Sequence, residues 1–163
     1  MPLPIRVIAC GNTLRRDDGA AHRVLELLPP DPDAEMRGVL QLTPELAQEM
    51  AGADTVVFID ADLGADAVRI QRLVGQGPVE QSAGRMAFTH ALTPETLVAL
   101  SRALYAFQGE AFVCRIPVRD VSPGEGLTPS TTACAAEAAR EVGSLLRGRR
   151  YASRPPPFRS SLA

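Results

Sequence analysis

Short apolar runs alternate along the chain with stretches of helical period. Residues 5–10 (Ile-Arg-Val-Ile-Ala-Cys) predict a first strand. Residues 55–59 (Thr-Val-Val-Phe-Ile) are continuously apolar and β-branched, the pattern of a strand covered on both faces of a parallel sheet. Residues 111–118 predict another strand and 37–42 a weaker one. In 67–73, Val68 and Ile70 alternate with Arg69 and Gln71, as on an edge strand. Helical faces fall between: Val24, Leu25 and Leu28 within 18–28; Leu97, Leu100 and Leu104 within 94–106; Ala135, Ala139, Val142 and Leu146 within 129–147.

Three helix starts share one device: Thr43-Pro44, Thr93-Pro94 and Thr128-Pro129. A threonine hydroxyl can accept from the first free N–H groups, and proline suits the first helical position because its missing N–H would be unpaired there. Glu45 and Glu95 follow in the first turn, where the helix dipole favours an acid. The alternation of strands and helices implies an α/β, three-layer fold: a mainly parallel, twisted five-stranded sheet with helices on both faces and one edge strand. One domain is expected over 1–147. A basic tail follows over 148–163, where Pro155-Pro156-Pro157 opposes regular structure.

Composition narrows the function. A chain of 163 residues with 45% apolar content supports a core, and no apolar run reaches the ~20 residues of a membrane span. No signal peptide is read at Met1-Pro2-Leu3-Pro4, so a cytoplasmic location is expected. Cys10, Cys114 and Cys134 are widely spaced and sit in apolar runs, which points to core thiols, with neither a disulfide framework nor a cysteine zinc site. The net charge is −2, and residues 147–159 hold Arg147, Arg149, Arg150, Arg154 and Arg159 without an acid, so the rest carries −7. An acidic domain with a short basic tail lacks the footprint of a nucleic-acid binder. The chain contains no lysine. With no heptad pattern, a monomer is expected.

In open α/β sheets, ligands bind beyond the carboxyl ends of the strands. Three groups are expected to converge there: Asp17-Asp18 in the loop after the first strand, Asp60 directly after the apolar run 55–59, and His90 just before the helix start at Thr93. Two carboxylates and an imidazole suit a borderline divalent metal with open positions. Each also has a structural reading: either acid of the pair can cap the next helix, Asp60 can be an ordinary strand-end acid, and a single histidine is more often structural than a ligand. His22 lies one residue off its helix's apolar face and is read as structural.

The run Gly11-Asn12-Thr13-Leu14-Arg15-Arg16-Asp17-Asp18-Gly19 resembles the G-N-x-L-x-x-D-[DE]-G signature of hydrogenase maturation proteases, endopeptidases of [NiFe]-hydrogenase large subunits. Asp60-Ala61 matches that family's Asp-Ala pair ending a hydrophobic strand, and His90 matches its histidine before a leucine-rich helix. Gly126-Leu127-Thr128-Pro129 ahead of the last helix is a further echo, and the resemblance runs from about residue 5 to 147. After the second strand, Gln41-Leu42-Thr43-Pro44 replaces the family's usual glycine-rich turn.

The resemblance implies that Asp18, Asp60 and His90 form a metal site. That site would meet nickel already delivered to a hydrogenase large-subunit precursor, and the enzyme would then remove the precursor's C-terminal extension. Two schemes fit. In one, these residues hold the substrate's nickel, which polarises the scissile carbonyl or activates water. In the other, the metal only positions the peptide and a carboxylate, with Asp17 as candidate, is the general base. Arg15 and Arg16 are either solvated or steer an acidic substrate segment.

Other classes explain less. A phospho-acceptor receiver domain also carries an acidic pair after strand one and an aspartate ending strand three, but it depends on a late lysine that this chain lacks. Phe58-Ile59-Asp60-Ala61-Asp62 resembles the nucleophile segment of haloacid-dehalogenase-like phosphatases, but follows the wrong strand. A non-cleaving, maturation-associated binding protein would keep the same crevice.

Overall fold

The computed structural model describes residues 5–74 and 92–153. Its strands form one five-stranded sheet in the order β2-β1-β3-β5-β4, from β1 (Ile5–Cys10), β2 (Ala34–Val39), β3 (Thr55–Asp62), β4 (Arg69–Arg72) and β5 (Glu110–Pro117). All neighbours pair in parallel except β4, which runs antiparallel to β5 at the edge. The described helices are α1 (Ala20–Leu27), α2 (Glu45–Met50), α3 (Pro94–Tyr105) and α4 (Pro129–Ser153), with a single 3-10 turn at Arg16–Gly19.

β3 shows why both faces are covered. Val57 and Ile59 enter one core with α1 and α4, while Val56 and Phe58 enter a second core with α2 and α3. Strand side chains alternate between faces, so a run apolar at every position needs a helix layer on each side. β1 repeats the division: Val7 and Ala9 face α1 and α4, and Ile8 faces the other layer. The edge strand β4 turns Ile70 inward between exposed Arg69 and Gln71, and charged side chains discourage pairing at a free edge.

The expected architecture is present, with differences of detail. β2 starts at Ala34 and ends at Val39, earlier than the 37–42 expected. The more β-like Leu40-Gln41-Leu42 leaves the sheet to reach α2, where Leu42 and Leu46 are buried. Of the three threonines, Thr93 caps as expected, its hydroxyl accepting from the Thr96 N–H at 3.1 Å, and the Thr128 hydroxyl accepts more loosely from the Thr131 N–H at 3.5 Å. α2 has no side-chain cap, and the Thr128 hydroxyl also donates its own proton to Asp17. α3 buries Leu97, Val98 and Ser101, leaving Leu104 exposed. A small residue at 101 lets α3 approach α2, and its hydroxyl donates to the Ala47 carbonyl at 2.6 Å.

α4 runs on to Ser153, past the expected boundary at 147. Its last arginines are tethered. Arg149 stacks 4.8 Å from the Phe112 ring centroid and pairs with Glu110, and Arg150 donates from Nε to the buried Asp31 carboxylate at 2.9 Å. No described helix is long and apolar enough to cross a membrane.

From β1 the chain moves to β2 on one side and then to β3 on the other. The sheet therefore has its topological switch point between β1 and β3, where the crevice of such folds opens.

Candidate active site

β1 ends at Cys10 and the chain folds back at Gly11, whose N–H donates to the Val39 carbonyl at 3.1 Å. A Cβ at position 11 would lie 2.0 Å from the Asp18 carbonyl oxygen, so only glycine permits this close approach. The returning loop is fixed by Asp18, whose Oδ2 accepts from the Asn12 N–H at 2.8 Å, while Asn12 Oδ1 accepts from the Leu14 N–H at 2.9 Å. His22 braces the same turn: its Nε2 lies 2.7 Å from the Gly11 carbonyl oxygen, and its ring occupies the space a Cβ at Gly38 would need. It is structural, as its position off the apolar face predicted.

The 3-10 turn sends the two adjacent acids in opposite directions. Asp17 is fully buried. It accepts from the N–H groups of Arg119 and Asp120 at 3.1 Å each, and from Thr128 through its N–H at 2.7 Å and its hydroxyl at 2.9 Å. Burial alone would raise its pKa, but the hydrogen bonds from Thr128, Asp120 and Arg119 outweigh that and lower it to about 2. Asp17 was expected as a candidate general base. In the structure its oxygens are filled with donors, and it ties the β1 loop to the 118–128 loop. The Gly-Leu-Thr-Pro echo was the signal that could have found the partner.

Arg15 and Arg16 belong to the same tie. Arg15 Nε donates to the Val121 carbonyl at 3.1 Å, and Arg16 Nε lies 3.8 Å from Asp120 Oδ2. Arg16 sits at φ 45°, a left-handed conformation held by its N–H donating to the Gly124 carbonyl at 2.9 Å.

Asp18 turns outward, half-buried, toward Asp60 at the end of β3. Asp60 lies in register between Cys10 of β1 and Arg115 of β5. The side chains of these three share the α2 and α3 face by the alternation of each strand. Burial first, and then the charge of Asp18, push the Asp60 carboxyl up to about 6, against the opposing pull of Arg115. Arg115 is itself held by Glu95, by Gln71 Oε1 at 3.3 Å from Nη1, and by Asp62 Oδ2 at 3.9 Å from Nε. Glu95 belongs to the first turn of α3, so this ion pair anchors the start of α3 beside the row.

Cys10 is half-buried, with its thiol 3.8 Å from the Leu40 carbonyl. Burial, and next the charge of Asp60, push it up to about 11, so it is a thiol at neutral pH and a poor nucleophile. Cys114 is buried as expected, whereas Cys134 is half-buried.

Of the sequence-derived candidates, the structure brings Asp18 and Asp60 near each other and turns Asp17 to the 118–128 loop, while His90 lies outside the described residues. Among the described residues no group of three His, Cys, Asp or Glu side chains is gathered tightly enough to hold a metal ion. The Asp18–Asp60 pair nevertheless has the character of a cation site: two hard oxygen donors, one desolvated, whose mutual repulsion a divalent ion would relieve.

No protein-family model matches the chain. No curated protein matches it either. Solved structures do. A hydrogenase-maturating endopeptidase of Escherichia coli aligns at 23% identity and a TM-score of 0.63, over 89% of this chain and 93% of the other. A [NiFe] hydrogenase maturation protease of Thermococcus kodakarensis aligns at 18% identity and 0.66, again over 89% and 93%. A hydrogenase 2 maturation peptidase of a Thaumarchaeota archaeon aligns at 21% and 0.63, over 87% and 97%. The chain shares the fold of these maturation proteases along nearly its whole described length.

Proposed function

We propose that this chain is a hydrogenase maturation protease: an endopeptidase that removes the C-terminal extension of a nickel-loaded [NiFe]-hydrogenase large-subunit precursor. The observation that carries the reading is the convergence of Asp18 and Asp60 at the switch point of this fold. Those are the two positions that the loop signature and the strand-end Asp-Ala pair assign to the metal site. The solved structures that share the fold, described as hydrogenase maturation proteases and peptidases, support the same reading.

In this proposal Asp18, Asp60 and His90 receive the substrate's nickel, which when bound there polarises the scissile carbonyl or an attacking water. The chain's own contribution is positional. Gly11 and Asn12 hold Asp18 in place, and the Arg115 pairs with Asp62 and Glu95 hold the ends of β3 and α3. A site fixed on both sides can hold a peptide bond in a near-attack geometry. Asp17 and Cys10 are not assigned chemical roles, because one is saturated with hydrogen bonds and the other is a protonated thiol. The metal-first scheme is thereby favoured over a separate Asp17 base. A cytoplasmic setting and action as a monomer belong to the same proposal.

The test is cleavage of a nickel-loaded precursor by Asp18→Asn, Asp60→Asn and His90→Ala. Each variant is expected to lose cleavage while remaining folded. Full activity in any one of them would overturn that residue's role.

A further inference from the structure

Three large apolar side chains stand exposed in loops on the sheet edge that carries the acid pair. Leu14, Leu40 and Leu63 are 60%, 66% and 61% exposed. Each sits in the loop that follows one of three adjacent parallel strands: Leu14 after β1, Leu40 directly after β2, and Leu63 directly after β3. Because these strands are parallel neighbours, all three loops leave the same edge of the sheet as Asp18 and Asp60.

The loops are held, so the exposure is not that of free chain. Asn12 Oδ1 accepts from the Leu14 N–H, the Leu14 carbonyl accepts from the Gly124 N–H at 2.9 Å, and the Leu40 carbonyl lies by the Cys10 thiol. Leu63 precedes Gly64, whose N–H donates to Asp62 Oδ1 at 2.8 Å. A leucine left in water forgoes the free energy that burial would gain, and three of them fixed along one edge of the sheet form the kind of grouped apolar rim that marks an interaction site.

We propose that Leu14, Leu40 and Leu63 form a docking collar for the substrate polypeptide, taking apolar side chains on either side of the precursor's metal-bearing segment. This rests on the proposed function and names how its partner is gripped. Charge selects the occupant. The same edge of the sheet carries Asp18, Asp60 and Asp62, and the nearby Arg115 is engaged by Asp62 and Glu95. An acidic centre within an apolar rim complements a chain that presents a cation flanked by apolar residues. Area argues against a second copy of this chain: three leucines present only a few hundred Å2, against the ~800 Å2 per partner of a stable complex. That is suited to a substrate which must leave after cleavage.

The other exposed large apolar residues described, Leu27, Val74, Leu104 and Tyr105, lie at or beyond the far ends of α1, β4 and α3. Leu104, 64% exposed, is therefore an internal control.

The experiment is steady-state cleavage of the nickel-loaded precursor by the full chain and by Leu14→Ser, Leu40→Ser, Leu63→Ser, their triple combination, and Leu104→Ser. Each collar variant is expected to raise KM about three- to tenfold with kcat little changed, as fits loss of one leucine contact. The triple should raise KM more than any single, Leu104→Ser should match the parent, and Leu40→Met should retain most of the affinity. A parent-like KM in the triple variant, with the parent active, overturns the collar and leaves the protease reading standing. A parent that binds but does not cut the precursor overturns the protease reading; the collar then stands or falls on whether the triple variant weakens that binding. Dimerisation of the parent lost in the triple variant, with KM unchanged, would assign the leucines to self-association and overturn the proposal.

Discussion

Thr128 donates twice to Asp17, through its N–H to Oδ1 at 2.7 Å and through its hydroxyl to Oδ2 at 2.9 Å. With Arg119 and Asp120 on the same carboxylate, this closes the loop after β1 onto the loop before α4. Asp17→Ala would leave three backbone donors without their partner in a buried place, which is expected to lower stability by about 3 kcal/mol. A fall of several degrees in melting temperature, partly recovered in Asp17→Glu, checks this. The pH dependence has a fixed sign. The folded carboxyl, at about 2, lies below its ordinary value of 3.8, so its stabilising contribution is present above pH ~4 and is lost as pH falls toward 2. Asp17→Ala should lose that acid limb of the stability curve.

Asp60 carries the opposite sign. Its carboxyl is raised to about 6 by burial and then by Asp18, so the folded state holds a proton that the unfolded chain has released. Stability contributed at this position therefore falls as pH rises from about 4 to about 6, then stays level. Asp60→Asn should be more stable than the parent at pH 7, by on the order of 1–2 kcal/mol, and little different at pH 4. Denaturant midpoints of the two proteins at both pH values make the comparison. Equal midpoints at pH 7 would mean that the acid pair is not under electrostatic strain.

Gly11→Ala places a methyl group 2.0 Å from the backbone oxygen of Asp18, which cannot yield as a flexible side chain can. The loop must open, at about 2 kcal/mol or more, and Asp18 moves with it. Loss of stability together with loss of cleavage is expected. Gly52→Ala, where a Cβ meets nothing within 4 Å, should keep the activity of the parent.

Much of this arrangement was legible in the sequence. The apolar run of β3 showed a strand covered on both faces, and the acid directly after it marked the crevice edge. The Gly11-Asn12 turn and Asp18 were recognisable through the likeness of this loop to the maturation-protease signature, and the close approach of Gly11 to the Asp18 carbonyl shows why glycine stands there. That Asp17 is the buried tie to the 118–128 loop was not legible. Adjacent acids look alike in sequence, and only the 3-10 turn sends one inward and one outward. β2 was misplaced by three residues because its edge position needs little apolar content, while the more apolar Leu40-Gln41-Leu42 serves the connection to α2. Arg149 and Arg150 were assigned to the tail, because their partners Phe112, Glu110 and Asp31 lie far away along the chain.

Cys10 sits in register with Asp60, where a nucleophile would be well placed. Burial and then the charge of Asp60 push its thiol up to about 11, so it should resist iodoacetamide at pH 8 and react more slowly than an ordinary exposed cysteine. Cys10→Ala should keep cleaving the precursor. Loss of cleavage in a folded Cys10→Ala protein would point to covalent catalysis at that sulfur.

The most direct test of the central claim is the intact mass of a nickel-loaded hydrogenase large-subunit precursor before and after incubation with this protein. Loss of a single C-terminal peptide is predicted, absent with Asp18→Asn and absent when the precursor carries no nickel. An unchanged mass, with a precursor shown to hold nickel and to bind this chain, would contradict the endopeptidase reading and leave a binding protein built on a protease fold.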